Sequence, residues 1–113
     1  MRLSIAAAVA ATLGAASLAS AGPKEPSGQE LYKANCKVCH AAGSAHGEYT
    51  PVTLIQDQWQ KFFETKYAAK HKDVAFPDGK KVSDVITPEL LAKISKFAID
   101  HAADSEQPMT CGK

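Results

Sequence analysis

The residues of this 113-residue chain that could do chemistry together are two cysteines and a histidine within five positions. Cys36 and Cys39 are three apart and His40 follows directly, which gives the spacing C-x-x-C-H. Residues three and four apart on a helix share a face. The two sulfurs can therefore reach both vinyl groups of one porphyrin as thioethers, and the imidazole can bind its iron as the proximal ligand. The motif predicts one covalently attached haem c.

Three other interpretations compete with haem attachment. A thioredoxin-like redox pair also uses C-x-x-C, but it belongs in a βαβ setting, and the pattern around this motif is helical. A zinc site could combine Cys36, Cys39 and His40 with Cys111, although the adjacent Cys39 and His40 suit a tetrahedral cluster poorly. A chance match in a structural helix is the third alternative, and the export signal described next weighs against it.

The first 21 residues are typical of a signal peptide. Met1 and Arg2 give a positive start, residues 3–18 are almost all apolar or small, and Ala19-Ser20-Ala21 forms a small-x-small cleavage site. We therefore predict a single mature domain over 22–113, located in the periplasm, with no stable membrane insertion after cleavage. An uncleaved anchor is the alternative, but the run is shorter than the roughly 20 apolar residues of a transmembrane helix.

The charge of the chain is nearly balanced, at a formal +1. A nucleic-acid-binding domain is normally strongly basic, so we expect no nucleic-acid partner. Cationic side chains are nevertheless concentrated in the middle of the chain. This lysine cluster consists of Lys61, Lys66, Lys70, His71, Lys72, Lys80 and Lys81. It is a candidate docking face for an acidic redox partner, or an ordinary solvated face.

Helical patterns account for most of the mature chain, and no strand pattern is present. The capping box of Ser27 and Glu30 predicts a first helix from about 28 to 40. An aromatic stripe at helical spacing predicts a second helix from about 55 to 71. Thr87 and Pro88 predict the start of a third, which fades near residue 103. The predicted fold class is all-α, with about three helices.

The segment from Gly28 to His40 resembles the opening of class I monohaem cytochromes c, where a glycine, an apolar and an aromatic residue precede the haem motif. Pro51, followed by Leu54, is similar to the Pro-x-Leu region of that family. The resemblance implies a small cytochrome c-like helical domain wrapped around one covalent haem. It also implies that Gly28 packs closely against the last helix near Phe97, and that the Pro51 carbonyl accepts a hydrogen bond from His40.

Several residues are candidates for the distal ligand of the iron. Met109 is the first expectation, because its Pro-Met pair resembles the ligand loop of the family. The six residues after Ala103 can span roughly 20 Å, enough to fold back across a haem edge. In class I cytochromes, however, the distal methionine precedes the last helix, whereas Met109 follows it, and Met109 could instead lie in a frayed tail. The other candidates are His101, His71, His46 and an open or water-filled position.

Two aromatic residues and one cysteine have less specific roles. Trp59 and Tyr49 could donate hydrogen bonds to haem propionates, or they could be a core residue and a loop residue. Cys111 could be a free thiol, a clip for the tail or the site of an intermolecular disulfide.

The function predicted from these features is a soluble periplasmic carrier of single electrons between redox partner proteins, and not an enzyme. A gas-binding or sensor haem protein with an open distal site is one alternative. A peroxidase-like enzyme that uses His101 as a distal base is another. An electron-accepting subunit of a larger dehydrogenase is a variant of the carrier.

Overall fold

The computed structural model describes residues 24–110. The predicted signal peptide, residues 1–21, and Cys111 lie outside these described residues. Between 24 and 110 the chain forms five helices and no strand, apart from one bridge between Ala75 and Lys81. This architecture confirms the all-α prediction. No helix in this part of the chain combines the length and the apolar character that crossing a membrane would require.

The first helix, α1, is built from three consecutive pieces. Gly28–Leu31 is α-helical, Tyr32–Cys36 is π-helical and Lys37–His40 is α-helical again. The predicted capping box is present: the amide of Glu30 donates to the Ser27 hydroxyl at 3.2 Å, and the amide of Ser27 donates to the Glu30 carboxylate at 2.7 Å. Single wide turns of this kind are frequent at functional sites, and here the wide turn ends at the first cysteine of the motif.

The second predicted helix is two helices in the structure. α2 spans Gln56–Thr65 and α3 spans Tyr67–His71, and the backbone leaves helical geometry at Lys66, with φ −121° and ψ −32°. The hydroxyl of Thr65 donates to the carbonyl of Lys61 at 2.6 Å. Such back-bonding to the preceding turn competes with the helical ladder and bends helices, which accounts for a break that apolar periodicity does not reveal.

The last helix, α5, spans Pro88–Asp100 and begins as predicted. Thr87 caps it by accepting from the amide of Leu90 at 3.4 Å, and proline occupies the first helical position. The helix ends at Asp100, three residues before the end predicted near residue 103. Two short elements were not predicted: a 3₁₀ turn at Pro51–Thr53 and a one-turn helix, α4, at Val82–Val85.

Gly28 lies where α1 crosses α5. A Cβ atom at this position would come within 2.5 Å of the Lys93 carbonyl oxygen and 2.8 Å of the Phe97 Cβ. One turn further along α1, the ring of Tyr32 packs on Phe97 with ring centres 5.6 Å apart. The predicted close packing of Gly28 near Phe97 is therefore confirmed. It fixes the position of α1, and with it the motif at its end, against α5.

The core consists of two small clusters that α5 joins. Leu31, Val82, Ile86 and Ile94 form the first, and Trp59, Ala98 and Ala102 form the second. Phe63 packs against both clusters. Ile94 and Ala98 lie one turn apart on the same helix. α5 therefore forms one side of a cavity, and the other helices form the remaining sides.

Candidate functional site

A largely apolar cavity of ≈ 330 Å³ lies between the helices. Side chains from all five helices and from the loop after α1 line it. Ligand sites of proteins are typically concave, apolar and of about 300–1,000 Å³. The cavity is therefore large enough to be a binding site for an organic group, and the core described above forms its walls.

Both motif cysteines reach this cavity from α1. Cys36 and Cys39 line its wall, and neither is disulfide-bonded. Burial, with a smaller contribution from neighbouring Cys39, raises the pKa of the Cys36 thiol to about 11. Cys36 is therefore a neutral thiol at physiological pH, held against apolar surroundings.

His40 lines the same cavity, and its ring is oriented by the backbone of the following loop. Its Nδ1 lies 3.1 Å from the carbonyl oxygen of Gly47. A carbonyl can only accept, so Nδ1 carries the proton and Nε2 keeps its lone pair. This is the tautomer that a metal-binding histidine with a backbone hydrogen-bond partner adopts.

The partner of His40 differs from the predicted one. We expected the carbonyl of Pro51, but that oxygen accepts the indole N–H of Trp59 at 2.7 Å. The loop after α1 turns tightly, with a left-handed backbone at Gly47 (φ +84°), and the amide of Tyr49 donates back to the His40 carbonyl at 3.2 Å. These turns bring the Gly47 carbonyl to the imidazole.

Trp59 and Tyr49 occupy different environments. Trp59 is only 4% exposed, and its N–H is bonded to Pro51, so the structure supports its core role and not a role toward a propionate. Tyr49 is exposed, with its ring edge-on to His40 at 5.1 Å between centres. A role of its hydroxyl toward a propionate stays a prediction.

Of the candidate distal ligands, the structure brings two to the cavity. His71 and His46 line its wall, whereas Met109 and His101 do not. The amide of Met109 donates to the carbonyl of His101 at 3.0 Å, and the His101 Nδ1 lies 2.7 Å from the Gln107 carbonyl. The tail therefore folds back onto the end of α5. Distal ligation by Met109 would require the tail to cross the cavity instead.

Tyr67 is a cavity residue whose role sequence reasoning missed, because its place in the aromatic stripe of residues 55–71 predicts only a helix. Its hydroxyl is buried and has no hydrogen-bond partner among the described residues. Burial raises its pKa to about 12. An unsatisfied buried hydroxyl costs roughly 1–3 kcal/mol, so the cavity provides a donor for a polar atom of a bound group. Nothing in the sequence pattern indicates this unpaired state.

The three motif residues are spread along the cavity wall. Within residues 24–110 no three His, Cys, Asp or Glu side chains converge to hold a single metal ion. Two thiols, one imidazole with a free Nε2, apolar walls and one unpaired hydroxyl together fit a large planar group with a polar edge. These residues therefore suit a haem attached at Cys36 and Cys39.

Comparison with known proteins points to the same class. The chain is similar to the Cbb3-type cytochrome c oxidase subunit FixP of Rhizobium meliloti (strain 1021), with 30% identity over 95 residues. The match covers 72% of this chain and 31% of that protein, so the chain spans about a third of its relative. No protein-family model and no solved structure matches. The chain is thus a distant relative of a c-type cytochrome subunit, and the likeness supports an electron-transfer haem protein.

Proposed function

We propose that this protein is a soluble periplasmic carrier of single electrons with one covalent haem c. The observation that carries the proposal is that Cys36, Cys39 and His40 line one apolar cavity. In this assignment the two thiols form thioethers with the haem, and His40 binds its iron. The iron supplies the chemistry by changing its oxidation state by one electron.

The protein's part in this function is to hold the group and shield it. The hydrogen bond from His40 Nδ1 to Gly47 keeps Nε2 available for the metal and raises the basicity of the ligand. Trp59 and Ile94, 4% and 1% exposed, exclude water from the cavity wall. A rigid apolar site limits the rearrangement that accompanies each change of charge, which suits a carrier.

The lysine cluster is the proposed docking surface for acidic redox partners. Its lysines are all exposed. Lys70 also lines the cavity, so the cluster reaches the edge of the proposed haem site. Positive charge beside the point of electron entry steers an anionic partner to it and raises the association rate. The predicted signal peptide supports placing this encounter in the periplasm.

The first experiment tests haem attachment. The full chain is produced in a host that attaches c-type haem, and intact-mass spectrometry measures the processed protein. We expect the added mass of one porphyrin and one reversible one-electron wave in a redox titration. Cys36→Ala and Cys39→Ala should each leave a single thioether, and the double variant none. A processed protein without added porphyrin mass would overturn the proposal.

The second experiment tests the docking surface with two small oxidants of opposite charge. The reduced protein should transfer electrons to anionic ferricyanide more slowly as ionic strength rises, and to a cationic cobalt(III) complex more rapidly, because salt screens both interactions. Lys70→Glu should lower the ferricyanide rate several-fold at low salt, whereas Lys33→Glu, an exposed lysine on α1 outside the cluster, should change it little. Equal effects of the two variants would contradict this surface.

A further inference from the structure

We propose that His71 is the second axial ligand, so that the iron lies between two imidazoles. This inference rests on the proposed haem site and adds a residue to it. His71 lies at the end of α3, and it lines the cavity together with His40. It replaces Met109 as the distal ligand of the assignment, because Met109 is held against the end of α5.

The separation of the two rings is the first observation. The ring centres of His40 and His71 are 6.3 Å apart. An imidazole nitrogen binds a transition metal at about 2 Å. Two nitrogens on opposite sides of one metal are then about 4 Å apart, and with about 1 Å from each nitrogen to its ring centre the centres are separated by about 6 Å. The cavity thus holds the two rings at the spacing that one shared metal ion requires.

The hydrogen bonds of the two rings are the second observation. The His71 Nδ1 lies 2.9 Å from the carbonyl oxygen of Tyr67, as the His40 Nδ1 lies 3.1 Å from that of Gly47. Since carbonyls only accept, both rings carry their proton on Nδ1 and leave Nε2 free. Metal-binding histidines almost always donate their other ring N–H in this way, and both histidines fulfil this condition.

The position of the His71 ring is fixed by its neighbours. It stacks on the Tyr67 ring, with centres 4.4 Å apart and an interplanar angle of 24°. Tyr67 and His71 are four apart on α3, the spacing at which helical side chains meet. His71 is half-buried although it belongs to the lysine cluster by sequence. Lys66 has non-helical backbone angles, so α3 is a separate helix, and His71 at its end lines the cavity.

His46 is the competing residue, because its ring centre is 6.4 Å from that of His40. Its loop, however, is bonded through Gly47 to the Nδ1 side of His40, the side of the imidazole that faces away from a metal on Nε2. His46 is exposed, and among residues 24–110 no hydrogen bond holds its ring nitrogens. His71 is therefore the residue prepared to bind from the other side.

Two imidazole ligands have consequences that a methionine ligand would not have. Thioether ligation raises the reduction potential, so an imidazole in its place gives a lower one. A second protein ligand also closes the distal side to small molecules. The carrier is then a low-potential one, and reduced iron binds carbon monoxide only after a ligand leaves.

The test uses the covalently loaded full-length protein and its absorption and EPR spectra. We expect a low-spin oxidised spectrum without the weak red-end band that marks methionine ligation. His71→Ala should give a high-spin spectrum and rapid carbon monoxide binding, and free imidazole should restore the low-spin state. His71→Met should produce the methionine band and raise the midpoint potential. Restoration of the low-spin state of His71→Ala by imidazole, and the methionine band of His71→Met, would both require a folded protein. They therefore distinguish loss of a ligand from loss of the fold.

Met109→Ala and His101→Ala are the matched controls, and both should keep the low-spin spectrum because neither residue lines the cavity. A red-end band in the unmodified protein that Met109→Ala abolishes would overturn the proposal, as would a low-spin His71→Ala protein. A high-spin His46→Ala protein would assign the position to His46. In each of these outcomes the haem is still attached, so they are distinct from failure of the proposed function, in which no porphyrin mass is found.

Discussion

The indole N–H of Trp59 donates to the carbonyl of Pro51 across 2.7 Å, and both residues are buried. This hydrogen bond joins α2 to the 3₁₀ turn that ends the loop after α1. The same loop carries the carbonyl of Gly47 that orients His40. The bond therefore holds the proximal side of the cavity in place without touching the histidine itself.

Replacement of Trp59 by phenylalanine should lower the free energy of unfolding of the haem-loaded protein by about 1–3 kcal/mol, because the buried Pro51 carbonyl loses its donor. Denaturant unfolding followed by circular dichroism measures the change. Gln60→Ala, at the exposed neighbouring position on α2, is the control and should cost little. A Trp59→Phe protein as stable as the unmodified one would show that the indole N–H contributes nothing.

Gly28 leads to a prediction about the crossing of α1 and α5. In Gly28→Ala the new Cβ would meet the Lys93 carbonyl at 2.5 Å, and a backbone atom cannot move away as a flexible side chain can. We expect the helices to separate and the free energy of unfolding to fall by about 1–3 kcal/mol, as for other overpacked contacts. Lys33→Ala, at an exposed position of α1, should instead be nearly neutral.

The sequence allowed prediction of features that depend on neighbours along the chain. The cap at Ser27, the proline start of α5 and the placement of Cys36 and Cys39 on one helix all follow from local spacing. The close approach of Gly28 to Phe97 was predicted through a family resemblance, and the structure confirms it.

The features that sequence reasoning missed depend on how segments meet in space. The carbonyl that reaches His40 depends on tight turns in a ten-residue loop, and those turns bring Gly47 to the ring. The direction of the chain after α5 decides whether Met109 reaches the cavity, and no periodic pattern specifies it. The lysines around His71 in the sequence predict a solvated side chain, yet its ring lines the cavity and stacks on Tyr67.

The buried hydroxyl of Tyr67 predicts a dependence of stability on alkaline pH. Burial raises its pKa from 10.0 to about 12, so the folded protein keeps this proton at pH values where the unfolded chain loses it. Stability contributed by the neutral hydroxyl is present below pH 10 and is lost as the pH rises toward 12. Tyr67→Phe should therefore make the decline of unfolding free energy over that range shallower.

Urea unfolding at a series of pH values measures this dependence. Tyr49→Phe removes a hydroxyl from an exposed tyrosine and controls for general effects of the substitution. Burial also raises the pKa of Tyr32 to about 12. The decline of unfolding free energy with pH should therefore become shallower in the Tyr67→Phe protein without disappearing. An unchanged slope would contradict the burial of the Tyr67 hydroxyl.

Loss of the attached group predicts the largest change in stability. The two core clusters are joined along α5 and by Phe63, and the cavity that residues of both clusters line measures ≈ 330 Å³. Without a bound group, the largely apolar lining is exposed to water, and each Å² of apolar surface so exposed forfeits roughly 25 cal/mol of stabilisation. Small domains have only about 5–15 kcal/mol of stability in total. A chain without its haem should therefore be poorly folded.

The double variant Cys36→Ala/Cys39→Ala, freed of any loosely bound haem, provides this chain. We expect a broad thermal transition, weak near-ultraviolet circular dichroism and rapid amide exchange in α3, whose Tyr67, Lys70 and His71 line the cavity. Cys39→Ala alone, which keeps one thioether and His40, should retain a cooperative transition at a lower midpoint. If the double variant unfolded as cooperatively as the loaded protein, the cavity would not depend on a bound group, because collapse of its aromatic walls would suffice to stabilise the fold.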